Sequence, residues 1–182
     1  MKGADTMMND LQKLLREAQS GNSKAFADVY SFYATDLYRF ALWYTGNSAD
    51  ASDCVQEAVL LAFKNIANLR NLSSFRSWMF KILANVCKCN LNASAIRLNY
   101  VPVHEISENQ HTAADVDIEL SVELSDALSQ LSDDERQIVL LSVIGRCKSG
   151  EIAKMLDMTA GSVRSKLSRS LKKLRGILGE EQ

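Results

Sequence analysis

The sequence predicts an all-α protein made of two small helical domains joined by a flexible acidic linker, and three observations carry that prediction. The 182 residues include one proline (Pro102) and 8 glycines, and 47% are hydrophobic, a composition that favours long helices and suffices for real cores. Apolar residues recur at spacings of three and four along most of the chain, and no strand-like alternation is long enough to count. Between two such stretches, Asn99 to Asp117 holds the only proline, both histidines (His104, His111) and several Ser, Asn and Thr, the composition of a linker. The domains are placed at 1–97 and 118–182, with the linker at 98–117.

Within the first domain, Leu11, Leu14, Leu15 and Ala18 mark one helical stripe. Phe26, Val29, Tyr30, Tyr33, Leu37, Phe40 and Ala41 mark a second, ended by Gly46-Asn47. Ser48 or Asp50 can cap the next helix, from Ala49 to about Ile66. Asn68 to Ser74 reads as a polar turn before an apolar helix through Trp78, Phe80, Ile82, Leu83 and Val86. In the second domain, Asp117–Leu131 and Asp133–Ile144 read as amphipathic helices, the latter opened by Ser132 with Glu135 three residues on. A short helix at about Gly150–Leu156, capped by Ser149, is followed by the tight turn Asp157-Met158. A long helix then runs from about Ala160 to Leu178, with Thr159 as cap and Gly179 as stop. Two short-connected helices of which the second is basic make a helix-turn-helix.

The net charge of −1 hides an uneven distribution. Residues 1–97 carry eleven Lys/Arg against eight Asp/Glu; Leu98 to Glu135 carries ten acids and no base; from Arg136 onward there are ten bases against four acids. No acid falls between Thr159 and Gly179. On that last helix Val163, Leu167, Leu171, Leu174 and Leu178 form the stripe expected to pack inward. The other faces carry Arg164, Lys166, Arg169, Lys172, Lys173 and Arg175, a cationic surface suited to phosphates.

Other classes fit less well. The first helix is polar, with no signal peptide before it, and no apolar run approaches the ~20 residues that span a bilayer; the expectation is a cytoplasmic protein without direct membrane insertion. An enzyme would need a constellation the sequence lacks: there is no Gly-rich phosphate loop, no H-E-x-x-H and no nucleophile elbow. Cys54, Cys87, Cys89 and Cys147 sit among apolar or helical neighbours as reduced thiols. Cys87-x-Cys89 could hold zinc with His104 or His111, but one-residue spacing in a helix points thiolates apart. No metal or cofactor is expected. The second rival is a two-domain helix-turn-helix regulator that senses a ligand or phosphoryl group through its N-terminal half.

Glu151-Ile152-Ala153, Gly161-Ser162-Val163-Arg164-Ser165-Lys166-Leu167 and Arg169 resemble region four of bacterial sigma factors, whose pattern runs E-I-A, a short gap, then G-T-V-K-S-R-L and R. Ala127-Leu128-Ser129-Gln130-Leu131 through Arg136 and Val139-Leu140-Leu141 is similar to that family's A-L-x-x-L-P…R…V-x-x-L. Independently, Asn47-Ser48-Ala49-Asp50-Ala51-Ser52-Asp53-Cys54-Val55-Gln56-Glu57 resembles region two's D-A-E-D-L-V-Q-E. Ser74-Phe75-Arg76-Ser77-Trp78-Met79-Phe80-Lys81-Ile82-Leu83-Ala84-Asn85 resembles its S-F-R-S-W-L-F-R-I-A-R-N. The likeness covers about residues 20–95 and 120–178. With no domain between the two regions, it is to the minimal, extracytoplasmic-function subtype. A repressor has no use for the region-two pattern.

The resemblance implies a non-enzymatic transcription-initiation factor whose partners are core RNA polymerase, through the β′ clamp helices and the β flap, promoter DNA, and an anti-sigma factor, often membrane-bound. It implies polymerase binding by Asp53, Gln56 and Glu57, and minus-thirty-five recognition by Arg164, Ser165, Lys166, Ser168 and Arg169, with Lys172 and Lys173 on the backbone. Lys81 and Asn85, with the loop Asn68–Ser74, fall to the minus-ten element, where melting needs a pocket for a flipped base. Phe75 and Trp78 could be stacking platforms, though Trp78 shares an apolar face with Ile82 and reads better as core. The sequence departs from the family at Cys89, Asn92 and Ala93, where an Asp and a basic cluster are usual, and at Ser132 and Gly150. In the family the connector threads the channel later used by nascent RNA, which an acidic strand would suit; an ordinary soluble tether is the alternative.

Overall fold

The computed structural model describes residues 2–98 and 122–179. Of the linker placed at 98–117 all but Leu98 lies outside the described residues, as does Asp117–Ser121 of the helix expected at Asp117–Leu131. Among the described residues every regular element is a helix.

The first body holds five helices. α1 (Lys2–Gln19) and α2 (Ser23–Ser31) form a hairpin. Its turn is tight because Gly21 takes φ +95°, a region strained for other residues. Asn22 caps α2 by accepting from the Lys24 and Ala25 N–H groups at 3.1 Å each. α3 (Ala34–Thr45) follows, so the stripe from Phe26 to Ala41 is two helices rather than one. The chain tightens at the junction, where Phe32 and Tyr33 N–H reach back only three residues, to Val29 and Tyr30 carbonyls. Tyr33 tilts its ring 5.5 Å from Phe75. The break resets the axis so that both stripes face one core.

α3 stops at Gly46, whose φ of +81° lets its N–H close on the Leu42 carbonyl at 2.9 Å. α4 (Ser48–Asn65) is capped by Asn47, not by Ser48 or Asp50: Asn47 Oδ1 accepts the Asp50 N–H at 2.7 Å and its amide donates to the Asp50 carboxylate. Two 3-10 turns, Ile66–Asn68 and Leu72–Ser74, make the connection to α5 (Phe75–Leu98). Gln19 Nε2 pins that connection to α1, donating to the Ile66 and Leu69 carbonyls at 3.2 and 2.7 Å. At the centre Phe40 stacks on Tyr44 at 5.8 Å and meets Phe80 edge-on at 5.7 Å. Leu15, Val29, Leu37 and Leu83 close around these rings.

The second body is α6 (Val122–Ser129), α7 (Asp133–Val143), α8 (Ser149–Leu156) and α9 (Ala160–Ile177). Ser132 and Glu135 form the expected capping box: Ser132 Oγ accepts the Glu135 N–H at 3.4 Å, and the Glu135 carboxylate accepts the Ser132 N–H at 3.0 Å. α8 starts one residue earlier than read. Its cap position is Lys148, whose N–H donates to Glu151 at 2.8 Å. After α7 the chain needs Gly145, since a Cβ there would come within 2.6 Å of the Leu141 carbonyl oxygen. Asp157, at φ +52°, turns the chain from α8 into α9. The two bodies meet where α7 lies against α3.

Candidate nucleic-acid and protein interfaces

On α4, Ala51, Cys54, Val55 and Ala58 face the core, which leaves Asp53, Gln56 and Glu57 together on the exposed side. Glu57 is steadied from α5 by Asn90, whose Nδ2 lies 3.5 Å from Glu57 Oε2 and 3.4 Å from Cys54 Sγ. One turn further on, Leu60 (60% exposed) and Leu61 (37%) extend the face. The surface is thus acidic at one end and apolar at the other. Sequence reasoning missed Leu60. The signal was its place four residues after exposed Gln56, which puts it on the same face.

Between α4 and α5 lies an open groove of about 480 Å³. Glu57, Asn65, Asn68, Trp78, Asn85 and Cys89 line it. It joins the candidate minus-ten residue Asn85 to the polar connection, while Lys81 stands exposed one turn earlier on α5. Trp78 is neither fully core nor a free platform: half-buried, it tilts against Phe75 at 5.8 Å and turns its other side to the groove. Phe75 is buried at 2% exposure, which removes it as a stacking platform. Cys87 is buried and Cys89 exposed, so the two thiols point apart. Burial, with Cys54 beside it, pushes the Cys87 thiol far above its usual range, and burial pushes Cys147 up to about 11. The side chains of Asn92, Ala93 and Arg97 lie outside the described ones.

α9 is capped by Thr159, whose Oγ1 accepts the Ser162 N–H at 3.1 Å. Its buried line is Val163, Ser170 and Leu174, not the five-residue stripe expected. Leu167 and Leu171 are half-buried and Leu178 is 38% exposed. Ser170 tolerates burial because its hydroxyl donates to the Lys166 carbonyl at 2.9 Å. That rotation divides the basic residues. Lys166 turns toward α7 and pairs with Asp134 at 3.2 Å, and Lys173 donates to the Gln130 carbonyl after α6 at 2.5 Å. Arg164, Ser165, Ser168, Arg169 and Lys172 face solvent, with Arg175 beyond them. Arg164, Ser168 and Arg175 border a shallow groove floored by Leu167 and Leu171. The exposed ridge bears four cations and no acid, in a field that water screens but does not cancel.

The division of the chain into two helical bodies finds its parallel in known proteins. Residues 29–94 match the family described as Sigma-70 region 2, and residues 121–174 match Sigma-70, region 4. The chain belongs to the sigma-70 family, in its extracytoplasmic-function subfamily of RNA polymerase sigma factors. It is 25% identical over 179 residues to the ECF RNA polymerase sigma factor SigW of Bacillus subtilis, covering 91% of this chain and 95% of that protein. It is 29% identical over 171 residues to the ECF RNA polymerase sigma-E factor of Haemophilus influenzae, covering 87% and 90%. The fold resembles the sigma factor RpoE solved with the anti-sigma factor NepR from Bartonella quintana, with a TM-score of 0.71, 20% identity, and coverage of 87% of this chain and 99% of that one. CnrH, solved with the cytosolic domain of CnrY, gives a TM-score of 0.68 at 19% identity, covering 95% and 99%. A sigma factor directs transcription initiation, and that is the activity this family carries. Among the described residues no helix of this sigma factor is long and apolar enough to cross a membrane.

Proposed function

We propose that this sigma factor binds core RNA polymerase through the exposed α4 face, opens the minus-ten element at the α4–α5 groove, and reads the minus-thirty-five element with the outward ridge of α9. The observation that carries the reading is the pairing, on separate bodies, of a mixed acidic and apolar helix face with a helix whose exposed cations have no acid among them. Asp53, Gln56 and Glu57, with Leu60 beside them, meet the β′ clamp helices; the second body meets the β flap. Arg164, Ser165, Ser168 and Arg169 reach base edges near the helix start, and Lys172 meets phosphate further along. Lys166 and Lys173 act at lower strength, because each must first leave its partner. Asn85, Asn65 and Asn68 offer edge hydrogen bonds to an extruded base beside Trp78, with Lys81 on the backbone.

The working unit is cytoplasmic, divides at 1–97, 98–117 and 118–182, carries no enzymatic step of its own, and is held in check by an anti-sigma factor. Its acidic connector suits the basic channel of the polymerase.

Transcription from a cognate promoter by polymerase reconstituted with this chain tests the reading. Glu57→Lys should abolish most of the transcript and weaken capture of core enzyme, while stability changes by no more than ~0.5 kcal/mol, as exposed charges usually behave. Capture of core at unchanged affinity by the Glu57→Lys chain would refute the α4 assignment.

A further inference from the structure

We infer that Gln19, the last residue of α1, is a positioning residue for the minus-ten groove: its amide sets the path of the connection between α4 and α5, and with it how sharply the groove discriminates bases. The connection is two 3-10 turns, Ile66–Asn68 and Leu72–Ser74. The first closes where the Leu69 N–H donates to the Ile66 carbonyl at 3.0 Å. A carbonyl oxygen has two lone pairs, and the Ile66 oxygen also accepts from Gln19 Nε2 at 3.2 Å. The same nitrogen donates to the Leu69 carbonyl at 2.7 Å. One amide therefore spans both ends of the turn. Asn68, which lines the groove, lies between the two fixed carbonyls.

The rest of the connection has no such hold. Among the described residues its other hydrogen bonds are local. The Ser74 N–H reaches the Asn71 carbonyl at 3.0 Å, and Asn71 Oδ1 accepts from the Ser73 N–H at 3.1 Å and the Ser73 hydroxyl at 2.7 Å. Below, Ile66 (2% exposed) and Leu69 (9%) enter the core. Above, Ala67, Asn68, Arg70 and Asn71 face solvent. Apolar burial fixes how deep the segment sits but not its direction, because the hydrophobic effect is non-directional. Hydrogen bonds fix direction.

Gln19 itself stands on a fixed base. Leu15 and Ala18, beside it on α1, are buried in the core. The helix end is closed by the Gly21 N–H on the Ala18 carbonyl at 3.0 Å and the Asn22 N–H on the Glu17 carbonyl at 3.1 Å. The amide thus ties the groove's wall to a helix that contributes no residue to the groove. Here the inference rests on the minus-ten reading above. A base drawn into the groove is sorted by hydrogen bonds to its edge, and these weaken steeply when donor and acceptor are misaligned. Specificity is a difference between two affinities. An Asn68 that moves freely still meets a base, but it meets right and wrong bases alike. Loss of the Gln19 amide should therefore flatten the preference more than it weakens binding.

Holoenzyme reconstituted from core polymerase and the full chain, bound to single-stranded oligonucleotides randomised across the minus-ten element, tests this. Gln19→Met keeps the length of the side chain and removes both donors. It should leave helicity and capture of core enzyme unchanged, and narrow the spread between best and worst sequences about fivefold, the scale of one hydrogen bond. Gln19→Glu, which has no donor when ionised, should narrow it as much, and replaces the Met variant if that one loses helicity. Gln19→Lys, whose ammonium can donate to both carbonyls, should recover most of the spread. Asn68→Ala should narrow the spread by itself, and Gln19→Met added to it should narrow it no further. An unchanged spread in both donorless variants would overturn the inference. So would losses at Gln19 and Asn68 that simply add, since Gln19 would then act on the whole body rather than through Asn68. If Asn68→Ala and Asn85→Ala both leave the spread intact, the groove does not read bases, and the minus-ten reading fails together with this inference. Narrowing in those two variants but in neither Gln19→Met nor Gln19→Glu defeats the inference alone.

Discussion

The two bodies are built from different materials. The first packs Phe26, Phe40, Tyr44, Phe75 and Phe80 into its centre, and its buried side chains are apolar save for the Tyr44 hydroxyl. The second has no aromatic residue at all, since none follows Tyr100 in the sequence. Its core is Leu128, Leu131, Ile138, Leu141, Ile152 and Val163, and it contains both of the described chain's buried polar residues, Gln137 and Ser170. Rings bury more area per residue and interlock at defined angles. In the function proposed above the first body holds a groove while bases are pulled into it, and such stiffness serves that role. A body that presents a single helix needs only orientation, which capping residues, Asp134 and the contacts along α7 supply. The groove and the ridge therefore depend on different interactions, and each can be attacked separately.

The largest effect is expected at the aromatic centre. Phe40→Ala removes the ring that touches both Tyr44 and Phe80 and should cost about 3–5 kcal/mol. Ile152→Val, at a fully buried site of the second body, should cost about 0.5–1.5 kcal/mol. Urea unfolding of the two variants measures both. Equal losses would mean that the aromatic body is no stiffer than the aliphatic one.

Next come the cations of α9. Arg164→Ala should cost ~1–3 kcal/mol at the right promoter and relax base preference, whereas Lys172→Ala should weaken all sequences alike and lower the salt slope by about one. Lys166→Ala should cost less than Arg164→Ala, because Lys166 is already engaged by Asp134 at 3.2 Å. Holoenzyme binding across a library of minus-thirty-five variants at two salt concentrations separates the three. If Lys172→Ala reorders the library while Arg164→Ala leaves it intact, α9 lies in the groove the other way round.

A smaller and opposite effect is expected at Gln137. It is 1% exposed and its Oε1 has no hydrogen-bond partner, a penalty of ~1–3 kcal/mol for a buried acceptor. Gln137→Leu keeps most of the volume and removes the acceptor, so the second body should gain about 1 kcal/mol. A loss of stability in urea would show that the amide is held by something its geometry does not reveal.

What the sequence made legible were the interactions that close within a few residues. The Thr159 cap, the Asp157-Met158 turn and the Ser132–Glu135 box were readable because each is made three or four residues from its partner. The joint at Phe32–Tyr33 was not, since no glycine or proline marks it and it exists to let two helices share one core. The inward turn of Lys166 and Lys173 was equally hidden. Their partners, Asp134 and the Gln130 carbonyl, lie 32 and 43 residues away, and a helical wheel weighs leucines without knowing that Ser170 can be buried. Arg76 was visible as part of a motif, but its reach to Ile144 and Gly145 spans 68 and 69 residues. The acids of the α4 face stood out in the sequence and Leu60 did not, because an exposed leucine announces nothing by itself.

The smallest effect lies at the start of α7, where the second body depends on its caps. The hydrogen bond from the Ser132 N–H, and then that from its hydroxyl, hold the Glu135 carboxyl below its ordinary value of 4.5. A carboxyl depressed by folding contributes stability above its unfolded pKa, and that contribution disappears as pH falls through the folded value. Glu135 is only partly buried, so solvent screening reduces the contribution to a few tenths of a kcal/mol. Glu135→Gln isolates it, because an amide oxygen can still accept from Ser132 while the charge that favours a helix N-terminus is gone. At about pH 7 the variant should be less stable by ~0.3–0.5 kcal/mol, and the difference should vanish as the pH is lowered past the depressed folded-state value. A difference that persists at the lower pH would assign the effect to the geometry of the cap rather than its charge. The second body would then owe its orientation to shape there, as the first owes its stiffness to rings.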